Sequence, residues 1–162
     1  MLKKICLVVL LLGSHVIFAA TEDLLSFGMG INNLLRDRHR TGEVRIEYKS
    51  HLEWYKFRPM AGLMTSFRGA IYAYGGFGID WIIKDHLIFS PNFAAGGYYD
   101  GNGRKLGFPI EFRSGIELGW QFDNKYRIGA HFYHISNAHL GHRNPGEESL
   151  VFFLSVPIKR YR

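Results

Sequence analysis

The sequence predicts an all-β chain whose eight antiparallel strands close into a transmembrane β-barrel. Three observations carry that expectation. Eight stretches alternate apolar and polar residues with a period of two, the spacing at which strand side chains fall on opposite faces. Aromatic residues make up 15% of the chain and glycines number 19, with little helical periodicity. The polar faces carry charges of both signs (Arg45, Glu47, Arg58, Asp80, Glu111, Arg113, Glu117), whereas the apolar faces are rows of Phe, Ile, Leu and Trp. A small barrel packed with ion pairs inside and facing lipid outside divides its residues in this way. A soluble sandwich would also alternate and is the competing architecture. The mixed charges, the aromatic rows, the even strand count and an export signal favour the barrel.

The export signal is the first element. MLKKICLVVLLLGSHVIFAA has two lysines, an apolar run from about Ile5 to Leu12, and small residues at Ala19 and Ala20. That is the layout of a cleaved secretory leader. The run is too short for a spanning helix, which needs roughly 20 apolar residues. We therefore expect a signal peptide over 1–19, cleaved after Ala19, and a barrel domain over 20–162. Cys6 leaves with the leader, so the exported chain has no cysteine and no disulfide framework. With Lys3 and Lys4 removed from a formal charge of +6, a modest basic excess remains. It suits a phosphate-bearing or anionic-lipid partner, and export argues against nucleic acid.

The strands follow in order. Leu25, Phe27, Met29 and Ile31 oppose Ser26, Gly28, Gly30 and Asn32. Val44, Ile46 and Tyr48 oppose Arg45, Glu47 and Lys49. Tyr55, Phe57, Pro59, Ala61 and Leu63 oppose Lys56, Arg58, Met60 and Gly62. Ile71, Ala73, Phe77 and Trp81 oppose Tyr72, Tyr74, Gly76 and Asp80. Leu87, Phe89, Phe93 and Ala95 oppose Ser90, Asn92 and Gly96, with Ile88 and Pro91 blurring the pattern. Phe112, Ile116, Leu118 and Trp120 oppose Glu111, Arg113, Glu117 and Gln121. The last two strands lie within residues 126–158 and set Ile128, Phe132, Leu150, Phe152 and Leu154 against Arg127, His131, Val151 and Phe153. Short connections are expected near Ser50–Glu53, Lys84–Asp85 and Asp123–Lys125, and longer ones near Leu35–Gly42, Asp100–Leu106 and His139–Glu147; Phe67–Gly69 is an exception. Long loops are external in such barrels, so the last long loop should lie outside the cell.

Each of the two final apolar rows ends in polar residues at that loop: His134 and Ser136 on one strand, Glu148 on the next. A serine needs a base to take its proton, and the base needs a third group to hold it. His134 and Ser136 are about 7 Å apart along one face, and Glu148 arrives from a strand about 5 Å away in the same phase. The adjacent Glu147 is one residue out of phase and should point inward or into the loop. The plainer alternative is that these residues merely close the apolar belt, but polar groups facing lipid are costly and call for a reason. The candidate nucleophile, base and orienting acid are Ser136, His134 and Glu148.

Other features carry less. His131, His134, His139 and His142 invite a metal site, yet His131 and His134 fall on opposite strand faces and the loop pair has no identified further ligands. No metal and no cofactor are expected. The Gly75–Gly78 run opens no helix and is no phosphate-binding fingerprint. Arg36, Arg38, His39 and Arg40 form a basic run in an external loop, able to touch lipid phosphates or simply solvated.

The stretch His134-Ile-Ser136-Asn137-Ala138, with Glu148 inside Asn144-Pro145-Gly146-Glu147-Glu148, resembles the signature of the PagL-type lipid A 3-O-deacylases. The strand ending in Pro157-Ile158 is similar too. The specific match covers about a fifth of the chain. The resemblance implies an eight-stranded outer-membrane barrel that hydrolyses the ester-linked 3-hydroxyacyl chain at the 3 position of lipid A, without a cofactor. It implies Ser136 as nucleophile, His134 as base and Glu148 as orienting acid, and assigns Asn137 and Ala138 to shaping the oxyanion site. Lipopolysaccharide and the outer membrane are the implied partners, with a homodimer left open. A non-catalytic structural or adhesive barrel is the alternative function.

Overall fold

The computed structural model describes Val16–Ile17 and residues 22–160. Among the described residues ten strands succeed one another: β1 (Val16–Ile17), β2 (Glu22–Asn32), β3 (Thr41–Lys49), β4 (Arg58–Ser66), β5 (Ile71–Gly78), β6 (Trp81–Ile83), β7 (Leu87–Tyr99), β8 (Ile110–Gln121), β9 (Arg127–Ser136) and β10 (Glu147–Arg160). Every pairing is antiparallel, and neighbours in space follow the order β2, β3, β4, β5, β7, β8, β9, β10. β10 then pairs back onto β2, from Leu150↔Ile31 to Arg160↔Glu22, and the sheet closes. The short β6 extends the line of β5 and pairs with β7, while β1 pairs with β6. Eight long strands thus make a closed antiparallel barrel, as the alternation predicts. The expected leader and its cleavage point lie outside the described residues, apart from Val16 and Ile17.

Phase sorts the two faces as expected. Phe27, Met29, Ile46, Leu63, Phe77, Ile116, Leu118, Phe132, Phe152 and Leu154 are exposed on the outside, and Arg45, Glu47, Arg58, Arg113, Glu117 and His131 are buried inside. An outer wall of this kind is what a bilayer-spanning barrel presents to lipid. The third expected strand begins later than its alternation suggests. Tyr55 and Lys56 have φ of 48° and 72°, and Trp54 and Phe57 exchange both backbone hydrogen bonds at 2.9 Å. Two successive positive φ values close a tight hairpin turn, so Tyr55 and Phe57 belong to the connection and the strand starts at Arg58. Loops 33–40, 67–70, 100–109 and 137–146 share one end of the barrel, with 67–70 the short member. Connections 50–57, 84–86 and 122–126 share the other.

Several interior charges are tied to one another. Asp80 accepts from Arg58 Nη1 at 2.8 Å, from Arg127 Nη1 at 2.5 Å and from Ser90 Oγ at 2.8 Å. Arg127 also reaches Glu22 at 3.3 Å. Arg113 donates to Glu47 at 2.9 Å and lies 4.1 Å over the Tyr74 ring, and Tyr74 donates to the same carboxylate at 2.7 Å. Lys49 and Arg45 meet Glu117 at 2.5 and 3.8 Å. A desolvated charge is tolerable only with such partners, and removing one strands the other. Asp80→Ala leaves two buried guanidiniums facing each other and should destabilise the barrel by about 3–5 kcal/mol. Urea unfolding followed by the heat-dependent gel mobility of the folded barrel checks this, with Asp37→Ala in an exposed loop as the neutral comparison.

Candidate active site

The end that carries loops 33–40 and 137–146 also carries the predicted triad. β9 delivers His134 and Ser136 outward, half-buried, because His131, Tyr133 and Ile135 take the inward phase. β10 opens at Glu147, and register sets Glu148 directly opposite His134. His134 Nδ1 lies 3.1 Å from Glu148 Oε1. An ionised carboxylate only accepts, so Nδ1 carries the hydrogen and Nε2 keeps its lone pair. Nε2 is therefore the ring nitrogen left able to accept a hydrogen bond. The Glu148 side chain is 14% exposed and that of His134 42%, so the pair sits under partial cover at the surface.

Ser136 is two residues along the same face, with Phe112 of β8 as its cross-strand neighbour. No hydrogen bond joins Ser136 Oγ to the imidazole among the described residues. Glu147, by contrast, points into the barrel and accepts from Asn32 Nδ2 at 3.0 Å. One step of strand parity separates the two adjacent carboxylates.

Asn137 is buried and fully engaged. Its amide donates to Leu106 O and Arg143 O, each at 2.8 Å, and its Oδ1 accepts from the His139 N–H at 3.0 Å. Its own N–H donates to Asn144 Oδ1 at 3.0 Å. The residue thereby pins loop 100–109 to loop 137–146. The next two residues, Ala138 and His139, have φ of 50° and 64°, a conformation that non-glycine residues adopt uncommonly. No group accepts from the Ala138 N–H among the described residues.

The histidines do not cluster. His131 is buried in the barrel, His134 is on the outer face, and His139 and His142 lie in the loop. Among the described residues no three or more His, Cys, Asp or Glu side chains are grouped to hold a metal.

Two contributors escape sequence reading. Gly146 has φ of 58°, and a Cβ there would stand 2.6 Å from His134 Cε1. Arg36 Nη1 donates to Pro145 O at 3.2 Å and Gly146 O at 3.1 Å, and lies 3.7 Å from Glu148 Oε2. The Arg36 contact leaves no local pattern because it joins loops from distant parts of the chain, and the Gly146 approach depends on how loop 137–146 folds back on β9.

Fold and site together define a class: a closed eight-stranded barrel bearing an acid–histidine pair, with a serine beside it, on the rim of its apolar outer wall. The sequence profile of the family described as Lipid A 3-O-deacylase (PagL) matches residues 40–157. The chain belongs to that family. It is 28% identical over 142 residues to the lipid A deacylase PagL of Pseudomonas aeruginosa, which covers 73% of this chain and 82% of that protein. The crystal structure of the outer membrane enzyme PagL superposes with a TM-score of 0.70 at 19% identity, over 83% of this chain and 99% of that one.

Replacing Asn137 by Ala removes three side-chain hydrogen bonds, one buried and two partly buried, each worth up to about 1–3 kcal/mol when a partner is stranded. Limited proteolysis within loop 137–146 should accelerate by about tenfold or more on that basis, with the barrel's own unfolding little changed. Equal nicking of Asn137→Ala and wild type would contradict the pinning role.

Proposed function

We propose that this protein is an outer-membrane esterase, exported through a cleaved leader over 1–19, that removes the ester-linked 3-hydroxyacyl chain at the 3 position of lipid A. The observation that carries the proposal is the 3.1 Å His134–Glu148 contact on the outer wall, with Ser136 two residues away on the same face. Membership of the lipid A 3-O-deacylase family supplies the substrate class.

The chemistry follows from the atoms present. Ser136 Oγ attacks the ester carbonyl as His134 Nε2 takes its proton. Glu148 holds the imidazole through Nδ1 and stabilises the cation it becomes. His134 then gives the proton to the sugar oxygen as the carbon–oxygen bond breaks, leaving an acyl-serine. Water, deprotonated by the same nitrogen, releases the 3-hydroxy fatty acid and restores Ser136. The free Ala138 N–H is a donor suited to the developing oxyanion, and Asn137 shapes the site through the loops it pins. Phe112, next to Ser136 and stacked on Phe93 at 6.0 Å, offers an apolar wall for an acyl chain. A substrate whose chains already lie in the bilayer reaches such a wall without crossing water.

A purely structural or adhesive barrel has no use for a histidine aligned on a carboxylate at a lipid-facing rim. Mass spectrometry of lipid A from cells with and without the protein tests the proposal: loss of one 3-hydroxyacyl mass is expected, and an unchanged spectrum would sink it.

The triad has its own test in purified variants, assayed by release of 3-hydroxy fatty acid at equal folded concentration. Ser136→Ala and His134→Ala should each remove nearly all activity, because nucleophile and base act as a unit. Glu148→Ala should cost less, though still about a hundredfold or more. Glu147→Ala should be mild; a dead Glu147→Ala beside an active Glu148→Ala would reverse the assignment. Excess chelator should leave the rate unchanged, and recovery with one added divalent ion after a chelator-induced loss would point to a metal instead.

A further inference from the structure

The turn that leads into β10 is held by two guanidiniums from other loops, and neither has a part in the chemistry above. Arg36 lies in loop 33–40, whose backbone is fastened to β10 by Leu34 N–H on Glu148 O at 2.7 Å. The Arg36 N–H in turn donates to Asn33 O at 3.2 Å. From this anchored base, Nη1 reaches the carbonyls of both Pro145 and Gly146, and stands 3.7 Å from Glu148 Oε2. That oxygen has no hydrogen-bond partner among the described residues, and the Arg36 charge faces it. Arg104, from loop 100–109, donates Nη2 to Pro145 O at 3.2 Å and Nη1 to Asn33 Oδ1 at 3.4 Å, joining the same turn from the other side.

The turn so held touches the imidazole. A Cβ added at Gly146 would lie 2.6 Å from His134 Cε1 and 3.1 Å from Nε2. The Gly146 backbone therefore walls the ring edge that lies between its two nitrogens. With Glu148 on Nδ1 and this wall beside Cε1, the ring is confined on two adjoining sides. Each confinement leads back to Arg36, through the carboxylate in one case and the turn carbonyls in the other.

We propose that Arg36 is a positioning residue for the His134–Glu148 pair, one guanidinium fixing both the carboxylate and the turn that walls the imidazole. The proposal rests on the Ser136–His134–Glu148 reading of the site. Arg36 touches no reacting atom. Its side chain is 43% exposed, so direct contact with a substrate phosphate is the rival role, and the test separates the two.

The experiment compares wild type, Arg36→Ala, Arg36→Lys and Arg38→Ala as folded barrels in detergent. Each is assayed on purified lipid A and on the p-nitrophenyl ester of a 3-hydroxy fatty acid, which carries no phosphate. Arg36→Ala should lower kcat by about tenfold to a hundredfold on both substrates, the usual penalty for slight misplacement of a catalytic group, with KM unchanged. Arg36→Lys should recover little, because all three contacts are made from Nη1 and a lysine ammonium ends one bond short of that atom. Millimolar guanidinium should restore part of the lost Arg36→Ala rate, and Arg38→Ala should behave as wild type. A readout independent of turnover is the Nδ1–H proton resonance of His134, assigned by its loss in His134→Gln, which should broaden or shift upfield in Arg36→Ala. Wild-type rates on both substrates, or an unchanged proton resonance, would overturn the proposal. So would a loss confined to KM on lipid A, which would make Arg36 a phosphate contact. A wild-type protein inactive on both substrates would instead remove the esterase reading, and the proton resonance would still decide whether Arg36 orders the pair.

Discussion

Closure of the sheet is the constraint on which the rest depends. In hydrocarbon no water satisfies an unpaired backbone N–H or C=O, so a spanning sheet must leave no edge. The β10–β2 pairing meets that demand along the whole length from Leu150↔Ile31 to Arg160↔Glu22. Once the ring is closed, each strand residue faces either lipid or a narrow lumen, and parity decides which. The lumen is lined by buried polar and charged side chains. It is filled with matched charges such as Asp80 between Arg58 and Arg127, and Glu47 between Arg113 and Tyr74.

That filling explains where a site can be. With Tyr72, Tyr133, Arg113 and His131 buried in the lumen, no lipid chain could enter it. Chemistry on a membrane-resident ester therefore has to occupy the outer wall, at a height where polar side chains do not pay the full cost of hydrocarbon. The rim where β9 ends and β10 begins meets both needs. Apolar Phe132 and Phe152 continue the wall on one side of the pair, and the loops supply hydrogen-bonding partners on the other.

Much of this was legible in the sequence, for a physical reason. A period of two is local, and the sorting of Phe132 from His131 or Leu118 from Glu117 needs no knowledge of the partner strand. The turn at Tyr55–Lys56 was not legible, because Tyr55, Phe57 and Pro59 alternate as a strand would while the backbone reverses at positive φ. His134, Ser136 and Glu148 were legible as a shared phase, since all three stand at strand ends. Arg36 and Arg104 were not. Their contacts join loops more than a hundred residues apart in one case and about forty in the other, and nothing in a basic loop says which carbonyl its guanidinium will find.

The two adjacent glutamates show how far parity alone carries the argument. Glu147 and Glu148 have the same chemistry and nearly the same place in the chain. Glu147 turns into the lumen, where Asn32 donates to it and Ser149 and Glu43 lie close by in the same network. Glu148 turns outward and finds His134 in register. A one-residue slip of β10 against β9 would exchange them, burying the partner of the imidazole and exposing a lumen acid to lipid. The register is held by what the slip would break on both sides at once: the Val151 and Phe153 packing within, and the tie of Leu34 to Glu148 O at the rim. Specificity for one acid over its neighbour thus comes from the whole barrel's pairing, not from any feature of the acid itself.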